Sequence, residues 1–181
     1  SETLRFLLKL REDFPEVRFI DVGGGLGVPE KPGQSSLNLL RVDNALGELA
    51  RAMNGCELWM EPGRFLVAEA GVLLTRVTQR KQKAAIQYGG ADAGMKSLIR
   101  PALYGAHHGI HNLSRLDQNA DLLCQIVGPI CETGDTLGHS RRIPTPSEGD
   151  ILLIENTGAY GRVMSSHYNR RPPAEEHIID D

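Results

Sequence analysis

Apolar residues recur every three or four positions in two stretches near the start of the chain, and this spacing predicts two amphipathic helices. One covers residues 3–14, and the other begins at Leu37 and stops at Gly55, a residue type common just beyond helix C-termini. Short runs rich in β-branched and apolar residues at 17–22 and 57–60 predict strands. A helix-length connection between two strands is typical of a parallel β/α unit.

The second part of the chain has a different pattern, with short apolar runs separated by Gly, Pro and Ser turns. These runs cover residues 72–77, 122–127 and 151–154, and each predicts a strand. The pattern therefore predicts an α/β part in residues 1–71, followed by a β-rich domain in residues 72–181.

Composition and charge then exclude several classes of protein. The 181 residues are 40% hydrophobic and 24% charged with a net charge of -3, which is typical of a globular chain and offers no basic surface for nucleic acid. We expect no membrane span. Three cysteines, Cys56, Cys124 and Cys131, are too few and too scattered for a disulfide framework or a four-ligand zinc site, which fits a reducing cytoplasm. The first residues lack an initiator Met and a signal peptide, so we expect a fragment.

A glycine-rich segment directly after the first predicted strand is the first candidate site. Residues 21–27 read Asp-Val-Gly-Gly-Gly-Leu-Gly, and residues without a β-carbon let backbone N–H groups converge on an anion. The spacing fits neither the dinucleotide pattern nor a P-loop, so the anion would be a single phosphate. A tight turn without a ligand explains the glycines equally well.

A second polar segment follows the next strand. Residues 61–64 read Glu-Pro-Gly-Arg and close this strand at the end where α/β proteins assemble their sites. A surface ion pair is the alternative and would contribute little stability. Because two consecutive parallel strands both end in such segments, the sequence favours a functional role.

The β-rich part contains three further candidates. Arg100 and Tyr104 offer a planar carboxylate fork and a phenol on one short segment, although these residues by themselves favour a solvated arginine beside a packed tyrosine. Cys131 and Glu132 follow a predicted strand, where neighbouring carboxylates suit a thiol that acts as an acid. A buried structural cysteine is the alternative and the more common case. Tyr160 lies between small residues, where a flat ligand could approach.

Three histidines raise the question of a metal. His107, His108 and His111 lie close together in the sequence, but no H-E-x-x-H pattern or cysteine pair accompanies them, so we expect no metal site.

The order in which these motifs occur, more than any single motif, resembles that of a known family. The series comprises the glycine segment, Glu-Pro-Gly-Arg, Asp-Ala-Gly-Met with Leu-Ile-Arg-Pro-Ala-Leu-Tyr-Gly-Ala, Gly-Pro-Ile-Cys-Glu-Thr-Gly-Asp and Gly-Ala-Tyr-Gly. This series resembles the fold-type III pyridoxal-phosphate decarboxylases, most closely the diaminopimelate decarboxylases, from about Phe19 onward. The resemblance implies the later units of a β/α (TIM-like) barrel, then a C-terminal β-barrel domain that binds substrate and forms a homodimer.

The resemblance also implies roles for individual residues. Pyridoxal 5'-phosphate would be held mainly by the barrel part, while the β domain would supply most of the substrate-binding groups and the proton donor. Cofactor binding is implied for Gly23, Gly24, Gly25, Glu61, Pro62, Gly63, Arg64 and Tyr160. Substrate binding is implied for Arg64, Arg100, Tyr104, Glu132 and Tyr160. Cys131 would protonate the substrate carbon after carbon dioxide leaves, and in this family it comes from the partner subunit.

The implied reaction is decarboxylation of meso-2,6-diaminopimelate to L-lysine, the last step of lysine biosynthesis. Ornithine decarboxylases of the same fold have Asp at the position of Glu132, so the longer side chain favours the diaminopimelate reaction. An ornithine- or carboxynorspermidine-type decarboxylase and a non-catalytic binding homologue remain alternatives. A cysteine hydrolase using Cys131 is disfavoured because no oxyanion or base motif accompanies the thiol.

One departure from the family bears on activity. Family members bind the cofactor covalently through a lysine in an early Val-Lys-Ala-Asn-like segment, and this segment is missing from the 181 residues. We therefore expect the chain to be roughly the second half of a longer enzyme and to be inactive alone. Some relatives are fused to a kinase, on which these residues are silent. The lysines present are Lys9, Lys31, Lys81, Lys83 and Lys96.

Overall fold

The computed structural model describes residues 2–84, 86–120 and 122–179. They form two compact units. The first consists of the residues up to Pro29 together with Ser35–Phe65, and the second consists of Glu30–Gln34 together with the residues from Leu66 onward. None of the described helices is long and apolar enough to cross a membrane.

The first unit is built around two short parallel strands. Helix α1 (Glu2–Asp13) precedes β1 (Phe19–Asp21), and helix α2 (Leu39–Ala52) connects β1 to β2 (Glu57–Trp59). The strands pair in parallel register, so the predicted parallel β/α unit is confirmed.

Local sequence explains the ends of α2 and its burial. The side chain of Asn38 accepts a hydrogen bond from the Arg41 N–H and caps the helix, while Gly55 beyond its C-terminus has a φ of +80°. The apolar face of α2 forms the core of this unit with residues of α1 and both strands. This core contains Leu7, Leu8, Val17, Ile20, Val22, Leu49, Met53, Cys56 and Leu58.

Helix α3 (Gly63–Val67) follows β2 in the chain, and the second unit is dominated by one six-stranded sheet. The strands of this sheet and the short helix α4 have the following bounds. They are β3 (Leu73–Lys83), β4 (Ile86–Ala91), α4 (Arg100–Tyr104), β5 (Ile110–Asn112), β6 (Leu122–Val127), β7 (Thr136–Ile143) and β8 (Ile151–Ile154).

The strand order in this sheet is β5-β8-β3-β4-β6-β7. All neighbours are antiparallel except β4 and β6, which run parallel. The edge strands β5 and β7 contact each other, so the sheet nearly closes into a barrel. Its interior is filled by buried apolar side chains. These are Val77, Ala91, Leu98, Ile110, Cys124, Ile126, Leu137, Ile143, Leu152 and Ile154.

The three predicted strands of this unit are confirmed, but the sequence pattern missed half of the sheet. The run at 72–77 continues as a strand to Lys83, and β4, β5 and β7 carry no clear apolar pattern. In β4 this has a packing reason: Gly89 lies against Ile126 and Pro146, where a larger side chain would be crowded.

Candidate functional site

The glycine segment and the Glu-Pro-Gly-Arg segment lie side by side at the C-terminal ends of β1 and β2. Val22 N–H donates to the Trp59 carbonyl at 2.9 Å, and Glu61 N–H donates to the Gly23 carbonyl at 2.9 Å. The Gly23 N–H in turn donates to the Asp21 side chain at 2.7 Å. The parallel pairing therefore continues past the strands and joins the two predicted segments.

Three glycines are required by this geometry. Gly23 and Gly25 have φ values of +71° and +82°, which side chains disfavour. A β-carbon on Gly24 would overlap the Glu61 carbonyl oxygen. Gly24 and Gly25 are exposed, and their N–H groups have no hydrogen-bond acceptor among the described residues. A bend of free N–H groups without side chains fits a phosphate group.

Residues 61–64 begin beside this bend, since the Glu61 backbone contacts Gly23 and Gly24. The Glu61 side chain is exposed, and its carbonyl accepts a hydrogen bond from Gly63 N–H at 2.8 Å as the chain turns at Pro62 into α3. Arg64 lies in the first turn of α3. An exposed carboxylate therefore belongs to the segment that pairs with the glycine bend.

In the second unit, Arg100 begins the short helix α4 and is buried. Pro101 occupies the first turn, and Gly105 ends the helix with a φ of +62°. Nη2 of Arg100 donates to Oε1 of Glu30 at 3.3 Å, and Nη1 contacts Nε2 of His108 at 3.2 Å. The reading of Arg100 as a solvated arginine is therefore wrong.

His108 was not singled out by the sequence as a partner of Arg100, yet its side chain is fully buried beside it. Nδ1 faces the Glu155 carbonyl oxygen at 2.8 Å, and a carbonyl can only accept, so Nδ1 carries the proton and Nε2 accepts from Arg100. Burial, and then the charge of Arg100, lower the pKa of His108. The ring is neutral.

The neighbouring histidines have other partners. Nδ1 of His107 contacts the Glu30 carbonyl at 2.6 Å, and Nε2 of His111 contacts the Glu155 side chain at 2.8 Å. Across the described parts of the chain, no group of three or more His, Cys, Asp or Glu side chains could hold a metal ion.

Tyr104 projects from the other end of α4 and is 64% exposed, so the alternative of a packed tyrosine is wrong. Its phenol is available to a ligand. Arg100 and Tyr104 thus present a guanidinium held in place by the protein and a hydroxyl open to solvent on the same helix.

Cys131 and Glu132 lie at the tip of the connection between β6 and β7, as predicted, and both are exposed. The alternative of a buried structural cysteine is therefore wrong for Cys131. Sγ of Cys131 accepts a hydrogen bond from Nδ2 of Asn169 at 3.9 Å, and Oε1 of Glu132 accepts one from Gly134 N–H at 3.2 Å. Asn169 was not singled out by the sequence.

Contacts bring this turn next to α4. A β-carbon on Gly134 would lie 3.9 Å from the β-carbon of Ala102 and 3.8 Å from Oε1 of Glu132. The turn that carries Cys131 and Glu132 therefore packs on the helix that carries Arg100 and Tyr104.

Tyr160 has a strained backbone. Its φ is +62°, an outlier for an aromatic residue, and its side chain is about half exposed. The segment that follows Tyr160 contacts the loop before α4 and the 131–134 turn, because Ser166 N–H donates to the Lys96 carbonyl and Asn169 donates to Cys131. Tyr160, the residue for which the sequence predicted a ligand contact, thus has a strained backbone.

One acidic residue of this region is buried. Asp135 follows Cys131 and Glu132 in the same connection, but unlike them it is buried. Its carboxylate accepts hydrogen bonds from the backbone of Met95 and Ile130. The glycines at positions 94 and 128, whose backbones approach this carboxylate closely, are the sequence signal for such packing.

Several known proteins are similar to this chain in sequence and in structure. A family model described as pyridoxal-dependent decarboxylase, C-terminal sheet domain, matches residues 20–158. Diaminopimelate decarboxylase of Archaeoglobus fulgidus is 38% identical over 168 residues, which cover 91% of this chain and 40% of that protein. Diaminopimelate decarboxylase of Campylobacter jejuni is 42% identical over 158 residues, which cover 86% of this chain and 38% of that protein.

Among solved structures, diaminopimelate decarboxylase from Helicobacter pylori complexed with L-lysine is similar to this chain with a TM-score of 0.82 and 35% identity. The match covers 95% of this chain and 43% of that chain. The 181 residues thus span about 40% of the length of the curated relatives.

Proposed function

The chain belongs to the pyridoxal-dependent decarboxylase family, and on this premise we propose that it is part of an enzyme that converts meso-2,6-diaminopimelate to L-lysine. The observation that carries the proposal is the contact between α4 and the 131–134 turn, because it gathers Arg100, Tyr104 and Glu132 in one region. A substrate with a carboxylate and an ammonium group at its far end needs both a cationic and an anionic partner. The names of the relatives support this substrate over others of the same fold.

The first unit would hold pyridoxal 5'-phosphate. Gly23, Gly24 and Gly25 would receive its phosphate, a role supported by the free N–H groups of Gly24 and Gly25 and by the lack of space for a β-carbon on Gly24. Glu61 would hold a proton at the ring nitrogen, and Arg64 would bind near the phosphate and the substrate. When bound, the cofactor supplies an electron-withdrawing ring that accepts the electron pair left behind by carbon dioxide. Pro62 and Gly63 shape the bend between Glu61 and Arg64.

The second unit would bind the substrate. Arg100 and Tyr104 would bind the distal carboxylate, and Glu132 would bind the distal amino group. Arg100 is suited to this because Glu30 and His108 already fix its guanidinium, which lowers the entropy lost when the ligand binds. Tyr160 would contact both the cofactor and the substrate.

Cys131 would donate the proton that replaces the lost carboxylate on the substrate carbon. Its exposed thiol, held by Asn169, supports this role. We place Cys131 in the active site of the partner subunit, so that the working enzyme is a homodimer with shared sites.

The remaining proposals concern the whole protein. Residues 1–71 would be later units of a β/α (TIM-like) barrel, and residues 72–181 would be the C-terminal β domain. The barrel's earlier units, with the lysine that holds the cofactor, would lie outside these 181 residues, and the 181 residues alone would be inactive. The three cysteines, all free in the structure, suit a reducing cytoplasm.

The proposal is tested on the full-length enzyme by measuring carbon dioxide release from meso-2,6-diaminopimelate and from L-ornithine. We expect release from diaminopimelate, with Glu132→Gln lowering kcat/KM by about 10- to 100-fold, since a hydrogen bond to a charged group contributes about 1.5–3 kcal/mol. The matched control is Glu148→Gln, an exposed glutamate in the turn before β8, which should leave kcat/KM unchanged. Equal release from ornithine, or an active Glu132→Gln enzyme, would contradict the proposal.

A further inference from the structure

The carboxylate of Asp135 joins two loops that are far apart in the sequence. Oδ1 accepts a hydrogen bond from Met95 N–H at 2.6 Å, and Oδ2 accepts one from Ile130 N–H at 3.0 Å. Asp135 is only 3% exposed. Each oxygen therefore has its own backbone donor, and the two donors belong to different loops.

Both loops approach the carboxylate at a glycine. A β-carbon on Gly94 or on Gly128 would overlap the Asp135 carboxylate. The close approach of both backbones explains why the hydrogen bonds are formed by main-chain N–H groups. It also leaves no space for a longer acidic side chain.

One loop leads to the helix with the candidate substrate arginine. The Gly94 carbonyl accepts hydrogen bonds from the N–H groups of Ser97 and Leu98 at 2.9 and 3.0 Å, and this turn ends at the start of α4. Fixing the Met95 N–H therefore fixes the base of α4, from which Arg100 projects.

The other loop carries the candidate proton donor and the candidate amino-group ligand. Ile130 directly precedes Cys131, and Asp135 N–H donates to the Glu132 carbonyl at 3.0 Å. Gly128 N–H donates to the Asp135 carbonyl at 2.8 Å, which closes the turn at its base. The Asp135 side chain and its backbone thus act on the same turn.

We infer that Asp135 is a positioning residue: its two carboxylate oxygens hold the loop that carries Glu132 and the loop that leads to Arg100, and so keep both substrate-binding groups in place. The inference rests on the proposed function. Holding both loops requires two hydrogen-bond acceptors on the side chain at position 135. In Asp135→Asn, the amide nitrogen must face either Met95 N–H or Ile130 N–H, so one of the two loops is released.

Asp150 provides the matched control. Its carboxylate is also buried, and it accepts hydrogen bonds from Asn112, Arg115 and the Ser147 backbone, none of which belongs to α4 or to the 131–134 turn. In the full-length enzyme, Asp135→Asn and Asp150→Asn should both lower the thermal midpoint. Only Asp135→Asn should raise KM for diaminopimelate, by about tenfold or more, because misplacement of binding groups is costly.

Two further measurements keep the inference testable if Asp135→Asn does not fold. Gly128→Ala places a methyl group where the carboxylate lies, so it should displace Asp135 and raise KM in the same way. Amide hydrogen exchange, followed in every variant that folds, should be faster at Met95 or Ile130 in Asp135→Asn or Gly128→Ala and unchanged in Asp150→Asn.

The outcomes separate this inference from the proposed function. If the wild-type enzyme releases no carbon dioxide from diaminopimelate, the proposed function fails, and hydrogen exchange alone then decides whether Asp135 holds both loops. If the wild type is active but the KM of the Asp135→Asn and Gly128→Ala enzymes stays at the Asp150→Asn value, Asp135 is merely structural and the inference is overturned. Unchanged exchange at both amides also overturns it.

Discussion

Nε2 of His108 lies 3.2 Å from Nη1 of Arg100 and accepts its hydrogen bond, because the proton of the same ring is on Nδ1. A buried neutral imidazole therefore sets the direction of the guanidinium. Arg100 also reaches Glu30, so the guanidinium is held from two sides. The position of a candidate substrate-binding group thus depends on a histidine that need not touch the substrate.

We predict that His108→Phe weakens substrate binding by removing this acceptor. KM for diaminopimelate should rise about tenfold, since a hydrogen bond to a charged group contributes about 1.5–3 kcal/mol. The control is His111→Phe, because His111 is exposed and contacts the Glu155 side chain rather than Arg100. A steady-state KM for His108→Phe equal to that of the control would refute the prediction.

The same pair predicts a pH dependence. Burial, together with the charges of Arg100 and His107, lowers the pKa of His108, while hydrogen bonding to the Glu155 carbonyl and the charge of Glu30 oppose this. The folded protein therefore favours the neutral ring, so stability from this group is present above the unfolded-state pKa of about 6.5 and is lost as pH falls below it.

Protonation would remove the acceptor for Arg100. KM should be constant above about pH 6.5 and should rise as pH falls through the lowered pKa of His108. A pH profile of kcat/KM for the wild type and for His108→Phe measures this, and the same acid limb in both enzymes would assign it to another group.

We predict that Gly24→Ala weakens cofactor binding, because the added β-carbon meets the Glu61 carbonyl and pushes the glycine segment away from residues 61–64. The affinity for pyridoxal 5'-phosphate should fall by about tenfold or more, as expected when hydrogen bonds to a charged phosphate are lost.

Gly27→Ala is the matched control for Gly24→Ala. A β-carbon on Gly27 would meet nothing within 4 Å, so affinity should be retained. Titration of the full-length apoenzyme, followed by cofactor absorbance, measures both variants. Equal affinity in the two would contradict a phosphate role for the segment.

Asp150 should make the protein sensitive to acid. Burial alone would raise the pKa of Asp150, but hydrogen bonds from Arg115, Asn112 and the Ser147 N–H outweigh burial and lower it. A lowered carboxyl pKa stabilises the fold above the unfolded value of about 3.9, and this contribution is lost as pH falls through the folded pKa.

In Asp150→Asn the acid-dependent part of stability should therefore shrink. Urea unfolding of the full-length protein between neutral and acidic pH gives the free energy of unfolding at each pH. The difference in this free energy between wild type and variant should shrink as pH decreases. A constant difference over that range would show that Asp150 contributes nothing through its ionisation.

Elements with a repeating apolar pattern were predictable from the sequence, and those held by tertiary contacts were not. Helices α1 and α2 and strands β1, β2, β6 and β8 follow from periodicity and turn residues. Strand β7 alternates poorly because it contains a run of polar residues at the edge of the sheet. The three residues of β5 are too few for any pattern.

Within the candidate site, residues in short motifs were predictable and their supports were not. The pairing of the glycine segment with residues 61–64 follows from two adjacent parallel strands, which the sequence predicted. The contacts of Asp135 with Met95 and of Cys131 with Asn169 each join residues about 40 positions apart, so no local pattern reports them.

The parallel pairing of β4 with β6 has a consequence for folding kinetics. The pair aligns Gln87 with Cys124, and because the strands are parallel, the loops that follow them leave from the same end of the sheet. Because this ladder joins segments of high sequence separation, its chain-closure entropy must be overcome before the two loops meet. The loops that follow β4 and β6 should therefore meet later in refolding than local elements such as helices α1 and α2 form.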